Sequence, residues 1–141
     1  MKISAKIDYA CRALLELALY WPQTAPLQIN TIADNQHIPL QFLPHILIQL
    51  KQQGYVDSIR GNRGGYLLAK PPKEIRLNDV VKAFAEVQVR PKISGKAKKV
   101  DTLGEIWQEM NQVIINFLNN ITFEDIVRRH RRDAKVLMYT I

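Results

Sequence analysis

Arg60-Gly61-Asn62-Arg63-Gly64-Gly65-Tyr66 constrains this 141-residue chain more than any other stretch, because a basic, glycine-punctuated turn there separates two short β-prone runs and directly follows two short helical patterns. Tyr55 to Ile59 alternates apolar and polar residues, and Gly65 to Ala69 is a second β-prone run, so the pair predicts a hairpin. Gly61, Gly64 and Gly65 admit positive φ at little steric cost. Arg60 and Arg63 then project from the tip, where long cationic arms suit phosphates or a narrow minor groove. Taken alone, the hairpin reads more simply as a solvated loop. What precedes it reverses that reading.

Upstream, Asn30 is positioned to cap a helix over Thr31 to Asn35, since its side-chain oxygen can accept the orphan amides of a first turn. A break follows at His37-Ile38-Pro39. A second pattern places Leu40, Leu43, Ile46, Leu47 and Leu50 on one stripe, with Gln41, His45, Gln49 and Gln52 pointing elsewhere. Glutamine and histidine can hydrogen-bond base edges in the major groove, the task of a recognition helix. Gly54 is expected to close this helix, with Lys51 in its last turn complementing the macrodipole. Helix, turn, helix and basic wing together point to double-stranded DNA. The fold class expected is mainly α with a small β-hairpin: a winged helix-turn-helix followed by a long C-terminal dimerisation helix.

The flanking segments say what that unit is attached to. Ser4 to Tyr20 predicts a helix with Ile7, Ala10, Cys11, Leu14, Leu17 and Ala18 inward, ended by Trp21-Pro22. After Pro71-Pro72, Asn78 is read as the cap of a helix from Asp79 to about Glu86. Residues 87–101 lose periodicity and carry Arg90, Lys92, Lys96, Lys98 and Lys99, a basic flexible loop. Thr102 and Glu105 form a capping-box pattern. The helix it opens carries Leu103, Ile106, Trp107, Met110, Val113, Ile114 and Phe117 along one stripe and extends about 28 Å at 1.5 Å per residue. So wide an apolar stripe predicts a homodimer, which would set two recognition helices about 34 Å apart on a palindromic site. The division expected is residues 1–86 for DNA binding, 87–101 for the loop, and 102–141 for dimerisation and tail. Arg128-Arg129-His130-Arg131-Arg132 reads either as a second phosphate contact or as a solvated face after a helix capped by Thr122.

Composition limits the remaining function classes. The net charge of +7 attracts polyanions generally, so charge alone does not separate DNA from RNA or membrane. No apolar run approaches the roughly 18 residues of a spanning helix, Met1 to Ser4 lacks a signal-peptide core, and a single cysteine excludes an internal disulfide. A cytoplasmic protein is expected. An enzyme is not, for want of a Ser/His/Asp or Cys/His arrangement, a phosphate loop or paired carboxylates. The alternative to a regulator is a winged-helix interaction adaptor that has lost specific DNA binding.

Tyr9 to Leu15, Ile38 to Leu50, Val56 to Gly61 with Gly64 to Tyr66, and Phe117 to Thr122 together carry a resemblance to a family. The chain resembles the winged helix-turn-helix transcriptional regulators that include the iron-sulfur cluster regulator IscR, the nitric-oxide sensor NsrR and the cysteine-metabolism repressor CymR. The resemblance implies a homodimeric regulator, more readily a repressor, in which Gln41 and His45 face bases, Arg60 enters the minor groove, and Asn62 and Arg63 hold the backbone. Gln49, Lys51 and Tyr66 complete the candidate DNA-contacting set. Pro39 and Pro44 depart from the more usual serine and glutamate, and Pro44 is expected to distort the first turn of the recognition helix. Many relatives hold an iron-sulfur cluster on three loop cysteines that this chain lacks, so no cofactor is expected. An atypical cluster assembled across a dimer from Asp8, Cys11 and a histidine stays open, as does the identity of a small-molecule or protein effector.

Overall fold

A computed structural model describes residues 3–22, 24–85 and 100–140. The loop cations Arg90, Lys92, Lys96, Lys98 and Lys99 lie outside the described residues. Ser4 accepts from the Ile7 amide and opens α1, Ala5–Leu19. There follow α2, Ile29–Gln36, and α3, Leu43–Gln52. The antiparallel hairpin of β1, Val56–Ile59, and β2, Gly65–Leu68, comes next. A 3-10 turn, Pro72–Glu74, leads to α4, Leu77–Phe84, and beyond the undescribed stretch lie α5, Thr102–Asn119, and α6, Phe123–Thr140. This is the expected winged helix-turn-helix with a long helix after it, but the segment expected as a tail is a second helix of the same length, 18 residues each.

The core is built around α1, which packs against α2, α3, α4, α6 and β2. Leu14, Ile32, Leu43, Leu47, Leu50, Val56, Ile75, Val80 and Phe123 are its largest fully buried side chains. Phe123 and Val127 of α6 belong to the same cluster, as does Leu118 of α5. The end of α5 and the start of α6 therefore close the core that α1 to α4 leave open. Backbone bonds fix this corner, with Leu77 donating to the Ile121 carbonyl at 2.8 Å and Phe123 to the Ile75 carbonyl at 2.9 Å.

Three expected caps are corrected by the structure. Asn30 lies inside α2, whose N-cap is Gln28. Asn78 lies inside α4 and is buried, because pairing with the α5–α6 corner starts that helix at Leu77 with Arg76 as cap. Asp101, not Thr102, caps α5: its Oδ1 accepts from the Gly104 amide at 3.0 Å. Gly104 permits this, since a Cβ there would run into the Asp101 carboxylate. Thr122 caps α6 as expected and does so reciprocally, its amide donating to Asp125 Oδ2 at 2.9 Å while Asp125 donates to Thr122 Oγ1 at 3.2 Å.

The Thr122 amide and hydroxyl, helped by Arg128 and Arg129, hold the Asp125 carboxyl below its usual range. A depressed carboxyl stabilises the fold above its unfolded value and loses that contribution as pH falls through the folded one. Because its side chain is largely solvated, Asp125→Ala is expected to cost only about 0.5 kcal/mol at neutral pH, or ~1–2 °C in Tm, with the difference from the parent shrinking below about pH 4. Thermal unfolding across pH checks this; an equal difference at pH 3 and pH 7 contradicts it.

Candidate nucleic-acid interface

The helix α3 starts later than its sequence pattern suggests. Phe42 donates to the Pro39 carbonyl and Leu43 to the Leu40 carbonyl, so residues 40–42 form a turn and α3 begins at Leu43. Leu40, expected on the core stripe, is accordingly 49% exposed. The same shift corrects the expectation for Pro44. It occupies the second position of the helix, where no intrahelical acceptor waits for an amide, so the first turn is not distorted. Gln41 stands exposed in the turn ahead of α3, and His45 exposed in its first turn.

Pro44, His45, Ile48, Lys51 and Gln52 form the open side of α3. Ile48, 53% exposed, lies three or four residues from each of the others and so centres that face. Neither the apolar stripe nor the polar set read from the sequence includes it; its place beside the polar residues was the available signal. An exposed isoleucine amid donors suits a thymine methyl. Gln49 stands at the edge, half-buried, and its Nε2 donates to the Ala83 carbonyl at 3.0 Å. Its amide thus braces α3 against α4. Lys51 Nζ donates to Ser58 Oγ at 2.7 Å, joining the end of α3 to the wing. Gly54 closes the helix with φ +82°, as expected.

The wing is held at both ends. Val56 pairs with Leu68 and Ile59 with Gly65, leaving Arg60 to Gly64 as the connection, and the Gly64 amide donates to the Gly61 carbonyl at 2.9 Å. A Cβ on Gly64 would collide with the Ile59 carbonyl oxygen, and one on Gly65 with the Leu27 backbone. Leu27 and Tyr66 exchange two backbone bonds of 2.8 Å each, so the segment entering α2 is tied to β2 by a single antiparallel bridge. Arg60, Asn62 and Arg63 are exposed at the tip. Tyr66 is half-buried and packs on the core, with part of its surface in the groove below.

That groove, of about 330 Å³, runs between Gln28, Ile29 and Asn30 of α2 and Gly61, Asn62 and Gly64 of the wing. Among the described residues no side chain caps the first amides of α2. Uncapped helix amides beside Asn62, with Arg63 lining the adjoining hollow, suit a phosphate. The floor under α2 is Glu16, buried at 3% exposure, which accepts from Asn35 Nδ2 and Gln36 Nε2 at 2.8 Å each. Glu16→Ala strands both amides and is expected to cost about 1–2 kcal/mol, with faster hydrogen exchange in α2 than in α6. Uniform acceleration over both helices would contradict a local role.

Leu103, Ile106, Trp107, Met110, Val113 and Phe117 are all exposed on α5, and Ile114 is half-buried. Of the arginines after Thr122, Arg128 lies 3.5 Å from Glu124 and 3.6 Å from Asp125, Arg132 lies 3.5 Å from Asp133, and Arg131 Nη2 donates to the distant Leu19 carbonyl at 3.0 Å.

The residues present do not fit a thiolate-held cluster. Cys11, the single cysteine, is partly buried, and burial followed by the Asp8 carboxylate pushes its thiol up to about 12. Asp8 is paired with Arg12 at 2.8 Å. Among the described residues no group of three or more His, Cys, Asp or Glu comes together to hold a metal ion, and no helix is long and apolar enough to cross a membrane.

A profile of the Rrf2 family, described as iron-dependent transcriptional regulators, matches residues 3–129. Over 130 residues the chain is 35% identical to slr0846 of Synechocystis sp., described as an HTH-type transcriptional regulator, covering 89% of this chain and 87% of that one. The solved structure of IscR from T. potens superposes with a TM-score of 0.79 at 25% identity, over 92% of this chain and 88% of the other. CymR of B. subtilis, titled the global cysteine regulator, superposes with a TM-score of 0.76 at 26% identity, over 92% and 98%.

Proposed function

The chain belongs to the Rrf2 family of transcriptional regulators, and from that premise we propose that it is a sequence-specific repressor acting as a homodimer on a palindromic operator. The observation that carries the reading is the exposed Arg60 and Arg63 tip, anchored by β-pairing and by Lys51 to the open face of α3. Gln41, His45, Ile48 and Gln52 read the major groove, Arg60 the minor groove, and Asn62 and Arg63 with the start of α2 hold phosphates. Lys51 and Tyr66 support the wing; Gln49 holds α3 in place. The exposed stripe of α5 is the dimer contact. Selection of genomic fragments by the purified protein, with and without reductant, tests the proposal: enrichment of one inverted-repeat sequence supports it, and uniform recovery of all fragments sinks it in favour of an adaptor.

The family description is iron-dependent, yet the chemistry of Cys11 and the absence of any second cysteine in the sequence favour control without a cysteine-held cluster. Aerobic and anaerobic preparations are expected to lack stoichiometric iron and visible charge-transfer absorption. Iron and sulfide at one cluster per dimer would overturn this.

A further inference from the structure

Between the C-terminal end of α1, the 3-10 turn and α6 lies a hollow of about 390 Å³ that the proposed DNA contact does not use. Its wall combines Trp21, Pro72 and Val127 with Lys73, Arg131 and Glu124. The volume falls within the range of about 300–1,000 Å³ typical of small-molecule sites.

Trp21 keeps 37% of its surface exposed at the edge of this concavity, beside the buried Ala18 and Val127. A large flat ring so placed gains most from a second flat ring. The charge balance favours an anion, because two cations face one carboxylate, and Glu124 has its own cation in Arg128 at 3.5 Å. Arg131 is already oriented, since Nη2 donates to the Leu19 carbonyl at 3.0 Å. Its remaining donors can therefore engage a carboxylate with less rotamer entropy to lose.

We infer that this hollow binds a small planar monocarboxylate, its ring against Trp21 between Pro72 and Val127 and its carboxylate toward Arg131 and Lys73. Such a ligand touches both the turn that follows the wing and the helix that follows α5. The Phe123 bond to Ile75 and the Leu77 bond to Ile121 join those two elements at one corner, so occupancy braces the winged unit against the α5–α6 corner. That coupling rests on the proposed DNA binding; the site itself does not.

Calorimetric titration of the full chain with benzoate, without DNA, tests the site. Saturable binding is expected, weakened about tenfold by Lys73→Ala and by Trp21→Ala, with neutral benzamide at least about tenfold weaker than benzoate. Both substituted side chains are surface groups, and thermal unfolding verifies that the variants fold. No saturable benzoate binding, or equal binding by both variants and by benzamide, overturns the assignment. With benzoate bound, a change of about tenfold in affinity for the selected DNA supports the coupling. Unchanged DNA affinity overturns the coupling alone, and failure to bind any DNA either with or without benzoate is a failure of the regulator reading, not of the site.

Discussion

Glutamate in place of both Trp107 and Met110 is expected to convert a dimer into a folded monomer. Trp107 is 54% exposed in the single chain, and Met110 lies beside it on α5, so neither substitution removes core packing. In a dimer the same positions become the centre of a dry contact, where an unpaired carboxylate costs several kcal/mol. Sedimentation at micromolar concentration should show half the parental mass with unchanged helical circular dichroism. The variant should also bind an isolated half-site as well as its parent does, while losing the advantage of the full palindrome. A parent that sediments as a monomer, or a variant that stays dimeric, removes α5 as the interface.

The second large effect falls on the wing. Removing both Arg60 and Arg63 is expected to lower operator affinity by about 2–4 kcal/mol, on the order of 30- to 1,000-fold. Arg60→Ala alone should relax preference at the base pairs under the wing, and Arg63→Ala should weaken all sequences alike. Lys51→Ala should lower the salt dependence, and it should also loosen the wing, because its ammonium donates to Ser58. Binding measured across a salt series separates these outcomes. Loss of affinity without any change in sequence preference after Arg60→Ala would count against minor-groove entry.

The parts of the fold legible in the sequence were those set by local rules. Period, breakers and turn glycines located α1, the two helices of the reading head, the hairpin and the stripe on α5. The misplaced features each depended on contacts distant in sequence or on a competing neighbour. Asn78 has the residue type of a cap, yet the Leu77 amide is taken by Ile121, some forty residues on. Thr102 and Glu105 match a capping box, but Asp101 reaches the Gly104 amide first. Leu40 fits the apolar stripe, and the turn closed by Pro39 and Leu40 carbonyls puts it in solvent. At the candidate interface the basic tip was plain from residue types alone. The role of Gln49 was not, since its acceptor Ala83 belongs to an element that no local pattern connects to α3. Glu16 was passed over for the same reason: in the sequence it is one acid in an amphipathic helix, and only the fold brings Asn35 and Gln36 to it.

The paired backbone bonds between Leu27 and Tyr66 divide the wing into a part that can be exchanged and a part that cannot. Residues 60–63 hang beyond the last strand pair and are exposed, so a tip from another regulator can be grafted there as a cassette. Gly65 belongs to a different inheritance. A side chain at that position meets the backbone of Leu27, so a donor wing that lacks this glycine must bring its own approach to α2 with it. Chimeras cut between Leu27 and α2 are expected to misalign wing and reading helix even when every DNA-facing residue is correct.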